Sequence, residues 1–157
     1  MFHKEKVLIS ACLIGENVKY NGKNNLLDDI EELKKRYDLV PFCPEVEGGL
    51  PTPRPPSEIV CFEPLKLVNQ KGEDVTECFI NGAKKCLEVC KSLDVEKAIL
   101  KSNSPSCGKN RVYDGTFSGK LVALPGVTAK LLKENNIKVF DEKDMLIFTQ
   151  TRLQFIQ

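Results

Sequence analysis

The sequence predicts an α/β fold: a single-domain, three-layer sandwich with a mostly parallel, Rossmann-like sheet. Short β-type apolar runs alternate with segments whose apolar residues recur at helical spacing, a pattern that favours parallel strands joined by helices. The length of 157 residues suits one domain with a buried core. Since no repeat, linker or low-complexity segment divides the chain, we assign residues 1–157 to one domain.

The first third of the chain predicts two strands and one helix, followed by a stiff loop. The strands are Lys6–Ser10 and Leu39–Phe42. Between them, a helical repeat of apolar residues predicts a helix with Asn24 or Asn25 as its N-cap; the repeat consists of Leu26, Leu27, Ile30, Leu33 and Tyr37. Residues 48–56 are rich in glycine and proline, which excludes a helix or a central strand there.

The rest of the chain continues the alternation. The predicted strands are Ile59–Phe62, Leu65–Val68, Ala98–Lys101, Arg111–Tyr113 and Ile137–Phe140. Three helices are predicted: Glu77–Ser92 capped by Asp74 or Thr76, a second from Pro125 or Gly126 to Asn135, and Glu142–Thr149 capped by Asp141.

Composition and charge exclude several functional classes. The hydrophobic fraction of 41% and the charged fraction of 29% are typical of a globular protein. Lys and Arg number 23 against 22 Asp and Glu, so no basic excess indicates a nucleic-acid polymer as partner. The apolar runs are far shorter than the roughly 20 residues that cross a bilayer. Because residues 1–6 lack a signal-peptide pattern, we expect a cytoplasmic protein without membrane contact.

The chain has seven cysteines and a single histidine, His3. In a reducing compartment thiols stay free or bind metal, so a disulfide framework is not expected. One histidine near the N-terminus is a poor partner for a nucleophilic cysteine, and it excludes a zinc site with two histidines.

Four of the cysteines are interpreted as structural or lack a motif. Cys86 and Cys90 continue the apolar stripe of the predicted helix Glu77–Ser92; a metal-binding pair at this spacing is the alternative that core packing outweighs. Cys61 lies within a β-type run. Cys78 lies near the start of the same helix and belongs to no recognisable motif.

The other three cysteines, Cys12, Cys43 and Cys107, follow predicted strands in turns rich in small residues or proline. The loops after parallel strands meet at one edge of a sheet, so these thiols are candidate ligands for one metal group. Three thiols of unrelated purpose remain the alternative. If they do share a metal, three cysteines without histidine favour an iron–sulfur cluster with one open iron over a catalytic zinc.

Several motifs around these cysteines resemble those of the thiouracil desulfurase family. The resemblance runs along nearly the whole chain and rests on Ser10-Ala11-Cys12-Leu13, Cys43-Pro44-Glu45-Val46, residues 49–56, Asp74-Val75-Thr76, Leu100-Lys101, residues 104–108, residues 113–117 and Gly126-Val127-Thr128-Ala129.

The resemblance implies a 4Fe-4S cluster held by Cys12, Cys43 and Cys107, with one iron open to substrate. It also implies an enzyme that removes sulfur from a thiolated pyrimidine as hydrogen sulfide, without net redox change. Glu45 is the implied general base or proton shuttle, and Ser104 orients water or substrate or relays a proton. Read without the resemblance, the two residues are a surface or capping glutamate and a loop-shaping serine.

Several choices stay open at this point. The expected partner is a small thiopyrimidine, whether free base, nucleoside or nucleotide, with sulfur at position 2 or 4, and the chain is expected to be a monomer or small homo-oligomer. Arg54, Lys101 and Ser106 are weaker candidates for contact with cluster or substrate. The alternative functions are a cluster-dependent hydro-lyase and a non-enzymatic iron–sulfur sensor module.

Overall fold

The computed structural model describes residues 4–145. Its α-helices are α1 (Ile30–Arg36), α2 (Pro44–Glu47), α3 (Thr76–Ser92) and α4 (Val127–Glu134). Its strands are β1 (Glu5–Ser10), β2 (Tyr37–Phe42), β3 (Ser57–Phe62), β4 (Leu65–Asn69), β5 (Lys97–Leu100), β6 (Val112–Tyr113), β7 (Leu121–Val122) and β8 (Lys138–Asp141). Two 3-10 helices span Ala11–Ile14 and Glu142–Asp144.

The central sheet has four strands in the order β2-β1-β5-β8, and its pairings are all parallel. The apolar residues of β1 and β5 are buried, as expected for parallel strands that helices cover on both faces. On one face, Leu8, Leu100 and Val139 pack with the buried sides of α3 and α4. On the other, Ile9 and Ile99 pack with α1. The predicted fold class, a three-layer α/β sandwich with a mostly parallel sheet, is confirmed.

Two antiparallel hairpins, β3–β4 and β6–β7, lie beside the sheet. Together with the start of α3 they form a third apolar cluster, which includes Ile59, Leu67, Phe79 and Val112. The strand β7 and the one-turn helix α2 were not predicted, because segments of two to four residues carry too little periodicity to detect.

The start of the first helix was predicted wrongly. Neither Asn24 nor Asn25 caps it, because α1 begins only at Ile30, after Asp29. The preceding apolar residues belong to an irregular segment, in which Leu27 donates its backbone N–H to the carbonyl of Leu13 at 3.0 Å. Leu27 thus packs beside α1 without belonging to it, which explains the misleading periodicity.

At the two ends of the chain some predictions cannot be compared with the structure. His3 lies outside the described residues, as does the second half of the predicted helix Glu142–Thr149. The described part of that helix is the 3-10 turn Glu142–Asp144, and Asp141 caps it as predicted. Within residues 4–145, the helices are too short and too polar to span a bilayer.

Candidate functional site: a thiol-lined pocket

A pocket of about 580 Å³ lies where β1, β2 and β5 end. Parallel strands deliver their following loops to this edge, which is where open α/β sheets bind ligands. All five predicted site residues line this pocket: Cys12, Cys43, Cys107, Glu45 and Ser104. We call Cys12, Cys43 and Cys107 the edge thiols.

Cys12 lies in the 3-10 helix that follows β1 and is partly exposed. Burial raises the pKa of its thiol, while a hydrogen bond from Asn25 and the charge of Lys101 partly offset that rise. The amide nitrogen of Asn25 lies 3.5 Å from the sulfur. The asparagine that sequence reasoning took for a helix cap is therefore a donor to a cysteine.

Cys43 directly follows β2 and precedes Pro44, the first residue of α2. Burial raises the pKa of this thiol as well, and the backbone N–H groups of Val46 and Glu45 counteract the rise by donating to the sulfur. The first turn of α2 therefore points backbone donors at Cys43 and places Glu45 two residues from it.

Cys107 is the buried member of the three. Burial raises the pKa of its thiol to about 12, against hydrogen bonds from the hydroxyls of Ser10 and Ser106 that lower it. The hydroxyl of Ser10 also accepts the backbone N–H of Lys101 at 2.9 Å, so it joins the ends of β1 and β5.

The start of α4 fixes the loop that carries Cys107. Backbone N–H groups of Val127 and Thr128 donate to the carbonyls of Pro105 and Ser106 at 2.9 and 2.8 Å. Gly126 is required at this contact, because a Cβ there would lie 2.7 Å from the Ser106 carbonyl oxygen. The Cys107 loop is consequently held in place by the protein itself.

The donor chemistry fits an iron–sulfur cluster. Each edge thiol receives at least one hydrogen bond, and cluster sulfurs are tuned by such donors. Within residues 4–145, no three His, Cys, Asp or Glu side chains are grouped closely enough to hold a single metal ion. The three edge thiols line one pocket, and cysteine thiols are the usual ligands of iron–sulfur clusters.

Glu45 belongs to a hydrogen-bonded network next to Cys107. Its Oε1 forms an ion pair with Nε of Arg54 at 3.2 Å, and its Oε2 lies 2.9 Å from the hydroxyl of Ser106. The Ser106 hydroxyl lies 3.5 Å from the sulfur of Cys107. The carboxylate is therefore linked to the thiol of Cys107 through one serine.

Ser104 completes this network. Its hydroxyl oxygen accepts the backbone N–H of Cys107 at 3.1 Å. Its single proton remains for Ser106 Oγ at 2.9 Å or Glu45 Oε2 at 3.5 Å. Ser104 thus shapes the Cys107 loop and also contacts the carboxylate. The sequence had offered a loop-shaping role and a role in orienting water or relaying a proton as alternatives.

Arg54 holds two walls of the pocket together. Beside its ion pair with Glu45, it donates from Nη2 to the carbonyl of Val18 at 2.8 Å. Its own backbone N–H donates to the carbonyl of Tyr20 at 2.7 Å. The arginine is buried, and its contacts fix the proline-rich loop, the Val18–Tyr20 segment and the carboxylate relative to one another.

Lys101 lines the pocket, and Glu142 forms an ion pair with it. Nζ of Lys101 lies 2.8 Å from Oε2 of Glu142. The backbone N–H and the hydroxyl of Ser102 also donate to this carboxylate, each at 2.8 Å. Burial tends to raise the pKa of Glu142, but these hydrogen bonds outweigh it, and the pKa lies below its usual value.

The remaining cysteines do not line the pocket. Cys86 and Cys90, which we call the core thiols, are buried in the apolar cluster between α3, α4 and the sheet, as their periodicity predicted. A hydrogen bond with Cys90, together with burial, raises the pKa of Cys86. Cys61 lies on β3 and Cys78 near the start of α3, and both are partly exposed.

Sequence reasoning missed three groups around the pocket. Asn25 and Ser10 donate to edge thiols, and Glu58 accepts backbone N–H groups from the β6–β7 hairpin. Ser10 has a local signal, since it ends a strand next to Cys12. The contacts of Asn25 and Glu58 join distant parts of the chain, and a single sequence holds no local signal for them.

The fold and the pocket define a class: an α/β protein with a ligand site built from thiols, a carboxylate and hydroxyls at the carboxyl edge of a parallel sheet. The model of the 2-thiouracil desulfurase family matches residues 7–144. This protein therefore belongs to the 2-thiouracil desulfurase family, and the predicted enzyme class and thiouracil chemistry are confirmed at that level.

Two relatives extend the comparison. The uncharacterized protein YbbK of Bacillus subtilis (strain 168) is 42% identical over 146 residues, which cover 88% of this chain and 97% of YbbK. A solved structure of TudS, a 4Fe-4S-dependent thiouracil desulfidase, is 39% identical and superposes with a TM-score of 0.85 over 96% of this chain and 99% of TudS.

Proposed function

We propose that this protein uses a 4Fe-4S cluster to convert a thiolated pyrimidine into the corresponding uracil derivative and hydrogen sulfide. One observation carries the proposal: three thiols that receive hydrogen bonds line the same pocket as a half-buried, arginine-paired carboxylate. Family membership and the likeness to the 4Fe-4S-dependent TudS support it.

In this proposal Cys12, Cys43 and Cys107 hold three irons of the cluster, and the fourth iron has no protein ligand. When bound, the cluster supplies a Lewis-acidic iron that attracts the thiocarbonyl sulfur and makes the ring carbon more electrophilic. Asn25 and Ser10 donate hydrogen bonds to the ligand sulfurs and fix their orientation.

Glu45 acts as the general base. It takes a proton from a water molecule while the water oxygen forms a bond to the ring carbon. Glu45 passes this proton to the sulfur, the carbon–sulfur bond breaks, and sulfur leaves with both electrons as hydrosulfide. The second water proton leaves the added oxygen as the carbonyl forms and converts hydrosulfide to hydrogen sulfide. Thiocarbonyl and water become carbonyl and hydrogen sulfide, so no oxidant or reductant is required.

Arg54, Ser104 and Ser106 position the base. Arg54 binds one carboxylate oxygen, which leaves the other directed toward the serines. Each serine hydroxyl carries a single proton, so Ser104 and Ser106 together provide a short path between the carboxylate and the Cys107 side of the pocket. Ser104 orients water or relays a proton along this path.

The proposed substrate is a small thiopyrimidine, not a nucleic-acid polymer. A volume of about 580 Å³ falls within the range of small-molecule sites. The proposal covers free thiouracil, its nucleoside and its nucleotide. It describes a cytoplasmic protein that acts as one domain over residues 1–157, as a monomer or a small homo-oligomer.

The test is anaerobic reconstitution with iron and sulfide, followed by a visible spectrum and an assay of sulfide release. We expect a brown protein that releases hydrogen sulfide from 2-thiouracil or 4-thiouridine monophosphate, and the two rates rank the substrates. A brown protein without sulfide release would favour the hydro-lyase or sensor alternatives. A protein that binds no iron would overturn the proposal.

A further inference from the structure

Phe117 has a backbone conformation that phenylalanine rarely adopts. It lies in the loop between β6 and β7 with φ of 55°, in the left-handed region. For a bulky residue this conformation is costly, and such strain concentrates where a side chain must be placed for function. The side chain of Phe117 lines the thiol-lined pocket.

A carboxylate from another hairpin enforces the conformation. Oε1 of Glu58, on β3, accepts the backbone N–H of Gly115 at 2.9 Å and that of Phe117 at 3.1 Å. Glu58 is only 8% exposed, and a carboxylate is buried to this extent only where hydrogen bonds compensate for the lost water. The two backbone donors provide that compensation and fix the loop on β3.

The loop is also rigid in its own right. Gly115 has φ of +94°, and a Cβ at this position would lie 2.6 Å from the Ile59 carbonyl oxygen, so the loop backbone touches β3 directly. Asp114 accepts hydrogen bonds from the backbone N–H and the hydroxyl of Thr116 at 3.0 and 2.6 Å. The backbone at Phe117 is therefore fixed by the protein itself.

Core packing does not explain this placement. Phe117 is half-buried and belongs to none of the three apolar clusters found among the described residues. The residues of β6 and β7 that do join the third cluster are Val112 and Val122. What Phe117 offers is an aromatic ring at the wall of a pocket that also contains the edge thiols.

We propose that Phe117 is a substrate-binding residue whose ring packs against the face of the thiopyrimidine ring, and that Glu58 is its positioning residue. This inference rests on the proposed desulfurase function and assigns the part of the site that binds the ring. Stacking acts on the heterocycle and not on its sulfur, so substrate and desulfurated product are bound by the same contact.

The first test compares Phe117→Ala with Phe117→Tyr, and Leu124→Ala is the control for loss of a partly exposed apolar side chain away from the pocket. We expect Phe117→Ala to raise KM for 2-thiouracil about 10-fold with a much smaller change in kcat. The dissociation constant of uracil, measured by calorimetry, should rise by the same factor. Phe117→Tyr and Leu124→Ala should both stay near wild type.

The second test addresses Glu58. In Glu58→Ala the loop loses its acceptor, so we expect KM to rise as in Phe117→Ala. Glu58→Gln keeps an amide oxygen in the same place and should restore KM. A residue that only stabilised the fold would change thermal stability in both variants without this split between KM and kcat.

The outcomes separate this inference from the function beneath it. Wild-type protein that releases no sulfide refutes the proposed function and the inference with it. Wild-type protein that does release sulfide, combined with unchanged KM and uracil affinity in Phe117→Ala, refutes the role of Phe117 alone. Cluster absorbance equal to wild type in each variant confirms that any loss concerns substrate binding.

Discussion

The edge thiols and the core thiols show that the surroundings of a cysteine, more than its burial, decide what it can do. Cys107 is as deeply buried as Cys86 and Cys90. Cys107 belongs to the same apolar cluster, but it also lines a pocket and contacts the hydroxyls of Ser10 and Ser106. Cys86 and Cys90 lie among aliphatic side chains and contact each other.

Hydrogen-bond donors distinguish a thiol that can bind metal from a thiol that only packs. A buried sulfur that only packs needs no polar neighbour, because it behaves as a small apolar group. A sulfur that binds metal as thiolate needs donors that stabilise its negative charge. The edge thiols have such donors, whereas the core thiols have each other.

The largest expected effect is the loss of an edge thiol. Cys43→Ala removes one of three proposed ligands, so the reconstituted protein should lack the brown absorbance of the cluster and sulfide release should fall to background. Iron analysis and the visible spectrum measure this directly. Cys61→Ala, away from the pocket on β3, is the control and should load and react like wild type. A Cys43→Ala protein with full cluster content would invalidate the ligand assignment.

Next in size is a change to the carboxylate beside the thiols. Glu45→Gln keeps the shape and the contact to Ser106 but cannot accept a proton from water. We expect the cluster spectrum to be retained and kcat to fall about 100-fold to 10,000-fold. Glu47→Gln is a matched control, because Glu47 is exposed on the same one-turn helix. If Glu45→Gln retained wild-type kcat, Glu45 would not be the base.

A smaller effect is expected from a substitution at the contact between α3, which carries the core thiols, and α2, which follows Cys43. A Cβ at Gly82 on α3 would lie 1.9 Å from the carbonyl oxygen of Pro44, next to Cys43. Gly82→Ala gains at most about 1 kcal/mol of helix propensity. The clash should cost about 1–3 kcal/mol and displace α2.

Sulfide release and cluster content of Gly82→Ala should both drop, and urea denaturation measures the loss of stability. Asn81→Ala, one residue away on the exposed side of α3, tests whether substitution in this turn matters by itself. Wild-type behaviour of Gly82→Ala would show that α2 moves without consequence for the site.

The smallest effect belongs to the core thiols. Cys86→Ala should lower the free energy of unfolding by about 1–2 kcal/mol, because it removes a buried sulfur from a packed cluster. Iron content and kcat should equal those of wild type. Anaerobic chemical denaturation measures the change in stability, and the sulfide assay measures kcat. Loss of the cluster in Cys86→Ala would show that a core thiol is also needed for cluster binding, contrary to its assignment as a packing residue.

Much of the fold could be predicted because its signals are local. The strands β1 and β5 are apolar runs, and the stripe of α3 placed Cys86 and Cys90 in the core correctly. The start of α1 was missed because Leu26 and Leu27 have helical spacing but lie outside the helix. Periodicity reports which residues face the core, not whether the backbone between them is helical.

The site was predictable only in part, for a similar reason. Cysteines after strands indicated that the loops of Cys12, Cys43 and Cys107 meet at one edge, and the structure brings all three to one pocket. Partners such as Asn25 and Glu58 are set by contacts between segments far apart in the chain. Such contacts form only once the tertiary structure brings the segments together, so they cannot be predicted from residue type and local spacing.

The anchoring of the Cys107 loop by α4 has a consequence for repair. The carbonyls of Ser104, Pro105, Ser106 and Gly108 are all engaged by backbone N–H groups of the protein itself. This segment therefore keeps its shape whether or not iron is present. We expect oxygen damage to strip the cluster and leave the polypeptide ready for reloading, so that activity returns with iron and sulfide alone, without refolding.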